Sequence, residues 1–462
     1  MCLVSDFFFP NIGGVEKHIL QLALRLQKRG FKVCIVTHSY GEEFVGEVML
    51  PKGHENGVRV HYIHRAVIAE QVALPFILPF FFTFRKILIQ EGVSIVHAHQ
   101  SSSTMSHECT AIARSLGYKT VLTEHSLYKS SDLFSFDNLV NTFLRISLCH
   151  VDHVICVSEK CRENLVQRTQ LIAPPEVTTI PNAINAWEFV PDYSKRSPGY
   201  PSINVVLMSR LVPRKGVDML VEVIPALCAK YTQVRVIIGG DGPRRGQIES
   251  MVREHCLESR VELLGAVASE GVRDVLVRGH IFLNCSLTES FCISLMEAAS
   301  CGLKVVSTNV GGVPEVLPPD MTELCEPCVE DITRGLSRCI DTTMKEEEAV
   351  EKEVQMRENR AGGVSRAVVE RERGQHERVK RLRSWMDVAE QTEAVYSAII
   401  AEDRKKGGYL PLSIPAYSWS RLRTKLLRYS HLRWHEYIIG AGLAVILEVA
   451  GWFVSSSSSS NY

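Results

Sequence analysis

The sequence is short of several features, and each shortfall closes off a class of function. It has no net charge: 52 Lys and Arg residues balance 52 Asp and Glu residues over 462 positions. That argues against a general nucleic-acid binder, and no nucleic-acid partner is expected. It has no disulfide framework. Its 14 cysteines are scattered, many inside apolar strand-like runs such as Cys34 in FKVCIVTH and Cys156 in HVICVS. Buried, reduced thiols and a cytosolic redox environment follow. Cys325 and Cys328 make a lone Cys-x-x-Cys with no second pair nearby, a poor basis for zinc or redox chemistry. The opening MCLVSDFFFP lacks the basic start and long apolar core of a secretory signal, and reads as the first strand of a domain. The sequon Asn284-Cys285-Ser286 falls in HIFLNCSLT, a buried-strand pattern, so no glycosylation is expected there.

What is present is an alternation. A chain of 462 residues exceeds one ordinary core, and 45% apolar content is enough to fill two. CLVSDFFFP, KVCIVTH, VRVHYIH, SIVHAHQ, TVLTEHS and HVICVS read as buried strands, with amphipathic stretches such as VEKHILQLALRLQKR between them. A turn-rich stretch, PDYSKRSPGYPS, then marks a linker. The pattern restarts at INVVLMSR and runs through VRVIIGG, VELLGA, HIFLNCS and KVVSTNV. The expected fold is α/β, with two doubly wound Rossmann-like domains facing a cleft and ligands beyond the carboxyl ends of the strands. Residues 1–190 form the first domain and 203–340 the second. Residues 341–380 are a charge-rich insertion, solvated and helical or disordered, with no chemistry assigned. A helical pattern over 381–400 closes the second domain or crosses back to the first.

The last segment differs in character. RLRTKLLRYSHLRW is strongly basic and precedes YIIGAGLAVILEVAGWFV, residues 437–454, whose 18 residues are about the minimum for a membrane span. A transmembrane anchor is expected there, with the basic flank placing the catalytic domains in the cytosol. Glu448 near its middle is costly in lipid and suggests that a partner protein faces it. The alternative is a buried C-terminal helix. The run Ser455 to Ser460 is low in complexity.

The chemistry concentrates in LTESFCISLMEAASCGLKVVSTNVGGVPEVL. Glu289 precedes a short helix reading from Ile293 to Gly302, and Glu297 lies inside it. Backbone N–H groups around Phe291, Cys292 and Ile293 would point into the cleft, where a helix N-terminus holds a diphosphate. Carboxylates on either side suit hydroxyl groups rather than phosphates. Two glutamates at this spacing are common by chance; followed by a strand and GGVPE they become specific. In SRLVPRKG, directly after a strand, Arg210 and Lys215 could reach that diphosphate, Arg as a fork and Lys as a point charge. Gly13-Gly14 follows the first strand and would let a ligand approach the backbone, although a plain turn explains it equally well. Gly239 to Pro243 reads as a structural turn. His125, ending TVLTEHS, either faces the reacting sugar or is a satisfied structural histidine.

Together these blocks resemble the retaining glycosyltransferases of the GT-B fold, from Met1 to about Ile400. The stretches SDFFFPNIGGVEKHI, SRLVPRKGVD, GHIFLNCSLTESFCISLMEAASCGLKVVST, GGVPEVLP and SWMDVAEQTEAVY resemble more narrowly the enzymes that start glycosylphosphatidylinositol (GPI) anchor synthesis. That resemblance implies UDP-N-acetylglucosamine as donor, phosphatidylinositol as acceptor, an endoplasmic reticulum membrane location and other membrane subunits as partners. It implies that Glu297 binds ribose hydroxyls and Glu289 the sugar's hydroxyls. Arg210 and Lys215 would neutralise the leaving diphosphate, Gly14 would approach it, and His125 would contact the donor sugar. No cofactor and no metal are implied, and no Asp-x-Asp pair stands in a suitable loop; cations and a helix terminus would stabilise the leaving group. Configuration would be retained by front-face attack. Glu124 stands before His125 where close relatives are expected to carry Asp. The apolar stretch Val72 to Phe84 either dips into the membrane interface beside the acceptor, with Phe80 to Phe82 as contacts, or packs in the first core. Other lipid-directed transferases of this fold are the nearest rivals. A nucleotide-sugar epimerase needs no lipid acceptor, and a non-catalytic scaffold needs no donor constellation.

Overall fold

The computed structural model describes residues 1–50, 57–69, 71–75, 77–128, 136–169, 176–192, 195, 202–358, 366–405 and five positions between 439 and 446. The chain forms two compact units, residues 1–181 with 385–462, and residues 182–384. The boundaries lie off those read from sequence because packing, not turn composition, decides them. Ile184, Ala186 and Phe189 enter the second unit's core, so that unit begins before the linker signal. The helix Trp385–Lys405 belongs to the first unit, packing along the helix Gly14–Lys28 with Trp385, Val388, Ala389 and Tyr396 buried.

In the first unit the β-branched runs build an eight-stranded sheet. Its order is Glu176–Thr179, His153–Cys156, Lys119–Glu124, Ile95–His99, Cys2–Val4, Cys34–His38, Val58–Ile63, Gly46–Leu50. All neighbours are parallel except the last pair, which is antiparallel. Central strands buried on both faces explain runs such as CIVTH with every residue buried. The order reverses between Cys2–Val4 and Ile95–His99, so the residues just after these strands border the crevice where such sheets take ligands.

The helix Ile77–Gln90 turns Phe80, Phe81 and Phe84 into the core and leaves Leu78, Phe82 and Ile89 exposed. A helical period separates neighbours in FFF, so the expectation that Phe80 to Phe82 act as one outward surface does not hold. Phe82 alone of the three faces out.

The second unit carries a six-stranded parallel sheet ordered Val261–Gly265, Val234–Gly239, Ile203–Met208, Ile281–Asn284, Lys304–Thr308, Thr322–Cys325. One face is covered by the helices Val217–Lys230 and Val329–Glu358, the other by Ile293–Ser300 and Arg366–Leu382. Asn284 is buried and donates to Ser307 Oγ at 2.9 Å, as a strand-buried sequon requires. The charged stretch from 341 is helical where described, and its second helix is not simply solvated. Val379 is buried, Gln375 donates to Leu303 O at 2.8 Å, and His376 Nδ1 lies 3.0 Å from Ser300 Oγ.

No helix among the described residues is long and apolar enough to cross a membrane. The segment expected as an anchor, 437–454, lies outside the described residues apart from those five positions, of which Leu443 packs against the first unit's core.

Candidate active-site residues

In the second unit the loops after Ile203–Met208 and Ile281–Asn284, the strands flanking its own switch point, come together. Pro213–Lys215 forms a single 3-10 turn ended by Gly216 at φ 72°. A Cβ on Gly216 would stand 1.9 Å from Cys285 O, so only glycine lets this turn press against the neighbouring strand end. Leu287 N–H donates to Arg214 O at 2.9 Å, and Gly312 N–H to Glu289 O at 2.9 Å. The turn, the Glu289 loop and the GGVPE segment are therefore one fixed piece.

The consequence is that Lys215 Nζ donates to Glu289 Oε1, with side-chain exposures of only 17% and 10%. Ser286 Oγ stands 2.8 Å from the same carboxylate oxygen and 2.8 Å from Asn284 Oδ1. Ser286 is in turn held by Thr308, whose hydroxyl donates to Ser286 O at 2.5 Å. Two residues picked separately from sequence thus form a charge-assisted hydrogen bond.

Just beyond them the helix Ile293–Ser300 starts at Cys292, which makes no side-chain cap bond. A helix start carries free N–H donors and partial positive charge. Ser290 is 6% exposed and its Oγ finds no partner among the described residues. Burial, reinforced by the Glu289 charge, pushes the Cys292 thiol up to about 12, so it is protonated at neutral pH and no nucleophile. Ile293 and Glu297 are buried and Phe291 partly so. Arg210 stands exposed after its strand. Gly240, at φ 137°, abuts Ser209 O, where a Cβ would come within 1.8 Å; the Gly239 to Pro243 turn is the backing of the Arg210 loop.

The first unit holds the remaining residues. Gly13 is the extended N-cap of Gly14–Lys28, and a Cβ there would meet Glu16 Oε2 at 2.4 Å. A Cβ on Gly14 would meet nothing within 4 Å, so packing does not require that glycine. His125 follows Lys119–Glu124 and its Nε2 lies 3.1 Å from His99 Nδ1. His18 packs edge-on against His125 with centroids 4.6 Å apart, and Trp385 edge-on against His18 at 5.3 Å. His97 stacks on His99 at 4.3 Å and is bound by Tyr396 Oη and Thr123 Oγ1, each at 2.6 Å.

Burial holds His97, His99 and His125 well below the ordinary imidazole range, with neighbouring imidazoles adding to the effect. They are neutral hydrogen-bonding groups at pH 7, not cations. Ring nitrogens of His18, His99 and His125 lie within 4.8 Å of one another, a grouping that could gather a cation; here His99 and His125 bond each other instead. Cys34, His61 and Glu91 are similarly close, but Glu91 is already engaged by Arg59 at 2.8 Å, His61 at 3.1 Å and Lys32 at 3.4 Å.

Sequence reasoning missed Ser286, Ser290, His18, His99, Trp385 and Tyr396. The alternation His97-Ala98-His99 in a buried strand was the one available signal, since it places two imidazoles on one face.

Comparisons with known proteins identify the family and the fold. Residues 12–188 match the model of Glycosyltransferase Family 4, and residues 199–360 that of Glycosyl transferases group 1. A phosphatidylinositol N-acetylglucosaminyltransferase subunit from Arabidopsis thaliana is 44% identical, covering 85% of this chain and 80% of its own. Its namesake from Homo sapiens is 42% identical, covering 87% and 76%. Among solved structures, a sucrose-phosphate synthase from Thermosynechococcus elongatus matches with a TM-score of 0.67 at 21% identity, over 87% of this chain and 99% of that one. The architecture is the two-domain α/β GT-B glycosyltransferase fold with parallel sheets.

Proposed function

Because the chain belongs to the phosphatidylinositol N-acetylglucosaminyltransferase family of GT-B glycosyltransferases, we propose that it transfers N-acetylglucosamine from UDP-N-acetylglucosamine to phosphatidylinositol, the first step of GPI-anchor biosynthesis. The observation that carries the reading is the Lys215–Glu289 bond at the foot of the Ile293–Ser300 helix, beside the Ser290 hydroxyl, which has no partner among the described residues.

In this reading the donor's diphosphate lies on the helix start, with the N–H groups of Phe291, Cys292 and Ile293 directed at it. Lys215 and Arg210 neutralise the charge that develops as the bond from sugar C1 to phosphate oxygen breaks. Glu289 has two tasks: it aims Lys215, and its remaining acceptor capacity takes sugar hydroxyls. Glu297 binds the ribose hydroxyls, and Gly13 and Gly14 leave the backbone open to close approach. The neutral His125 imidazole offers a hydrogen-bonding edge to the sugar without adding charge. An inositol hydroxyl attacks C1 from the face the phosphate leaves, and the departing phosphate oxygen takes its proton. The configuration at C1 is retained, and neither a protein nucleophile nor a metal or cofactor is required.

The lipid acceptor brings the membrane into the reading. Residues 437–454 anchor the chain in the endoplasmic reticulum membrane as a single span, with both catalytic units on the cytosolic side. Leu78, Phe82 and Ile89 on Ile77–Gln90 offer an apolar stripe to the bilayer. Other membrane subunits accompany the chain, as the word "subunit" in its relatives' names suggests. The nearest rival is a transferase of the same fold with another lipid acceptor.

The test is incubation of membranes carrying the chain with labelled UDP-N-acetylglucosamine and phosphatidylinositol. Label in an N-acetylglucosaminyl lipid that depends on added phosphatidylinositol supports the reading. Transfer to a different lipid only rejects the acceptor, and epimerised donor without transfer rejects the reaction.

A further inference from the structure

We infer that Glu124 and Arg168 form a buried clamp on the backbone of His125, and that both are positioning residues for the transfer reaction. The inference rests on the reading above, in which His125 meets the reacting sugar.

The side chains of Glu124 and Arg168 are 0% and 1% exposed and bond through Oε2 and Nη2. Burying such a pair out of water is costly, and apolar replacements of similar volume are often as stable or more so. Stability alone therefore does not account for the pair. Geometry does. The other carboxylate oxygen, Oε1, accepts the backbone N–H of His125 at 2.9 Å and of Ser126 at 3.1 Å.

Arg168 is fixed in turn. It donates to Asn141 Oδ1 at 3.1 Å and Ser101 Oγ at 3.3 Å, and its guanidinium lies 4.8 Å from the Tyr128 ring centroid. Tyr128 is tied to Asn164 by two hydrogen bonds, at 3.2 and 2.8 Å. Gln100 Nε2 lies 2.8 Å from both Ser126 Oγ and Tyr128 Oη. Gln100 itself stands at φ 75°, a left-handed conformation that a non-glycine residue keeps only where its surroundings enforce it.

Residues 125–128 have no regular secondary structure, so this network is what sets the His125 backbone. One carboxylate thus joins the buried Arg168 to the two N–H groups. A displacement of about 1 Å at a group in contact with substrate can cost about 100-fold in rate.

Two double variants of the full chain separate positioning from folding. Glu124→Gln with Arg168→Met is uncharged and keeps a carbonyl acceptor for the two N–H groups; Glu124→Leu with Arg168→Met is uncharged and removes it. We expect similar melting temperatures. Amide exchange at His125 and Ser126 should be about ten-fold faster in the Leu variant. Its kcat should be about ten-fold lower than that of the Gln variant, with donor KM within about two-fold. Equal exchange in the two variants overturns the clamp whatever the activity. Different exchange with equal kcat overturns its role in the reaction. If the unaltered chain transfers no N-acetylglucosamine to phosphatidylinositol, the functional reading falls and the catalytic role with it, while the exchange comparison still decides the clamp.

Discussion

Replacing Lys215 by methionine removes the cation but keeps most of the side chain's length, and the structure sets two separate magnitudes for the result. The first is structural. Glu289 loses one charged partner but keeps Ser286 Oγ at 2.8 Å, and the pair is 17% and 10% exposed rather than fully buried. Water and Ser286 compensate the carboxylate, so the stability loss should be small, about 1 kcal/mol. The second is catalytic. Removing one preorganised donor from a developing oxyanion costs about 100- to 1000-fold in kcat, or about 3–4 kcal/mol of barrier. In the proposed site the ground-state diphosphate keeps the helix terminus and Arg210, so KM for the donor should rise far less. Single-turnover transfer from labelled donor, beside thermal melts with and without UDP, measures both. A variant with kcat within about three-fold of the parent would refute the claim that Lys215 stabilises the leaving group. An Arg substitution should restore only part of the rate, since a planar fork does not replace a point charge aimed by Glu289.

Further outcomes follow from the same geometry. Gly14→Ala should leave the melting temperature unchanged or raise it, since nothing lies within 4 Å of the added methyl and alanine favours helix by up to about 1 kcal/mol; a marked fall in kcat/KM would then show that a ligand needs the space. Phe82→Glu should weaken binding to phosphatidylinositol-containing vesicles without unfolding, whereas Phe81→Ala, in the core, should cost about 3–5 kcal/mol of stability in a denaturant titration; equal vesicle binding by the Phe82 variant would reject the membrane stripe. His97, His99 and His125 are held neutral well below the ordinary value, and burial brings His107 down to about 4. The unfolded chain therefore binds more protons below pH about 6.5. Stability present above that pH should fall with acidification, by about 1.4 kcal/mol per pH unit per imidazole until each folded-state pKa is reached. A melting temperature flat between pH 6.5 and 4.5 would contradict the buried neutral cluster.

The parallel sheets were legible because buried strands are apolar at every position, as in CIVTH and INVVLM, and the intervening helices carry a clear period. Glu289 and Lys215 were legible for a different reason: each lies directly after a strand, where an open sheet exposes its loops. Their direct bond was not legible, since it depends on Gly216 allowing one loop to press on another. The histidine cluster draws on residues from 18 to 396, a separation that no local pattern conveys. The helix Arg366–Leu382 looked like a solvated charge run because its buried contacts are few and spaced, Val379 among arginines and glutamates. Phe80 to Phe82 misled in the opposite direction: three adjacent aromatics suggest one surface, but a helix distributes them around its axis.

The central claim is that leaving-group stabilisation by Lys215, Arg210 and a helix terminus carries a front-face transfer without metal. Its most direct measurement is the anomeric configuration of the product, determined by NMR after reaction of the membrane-embedded enzyme with UDP-N-acetylglucosamine and phosphatidylinositol in the presence of a chelator. The account predicts an α-linked N-acetylglucosaminyl phosphatidylinositol, matching the α-linked donor, formed at the same rate with and without chelator. A β-linked product, or transfer abolished by the chelator and restored by a divalent cation, would contradict it.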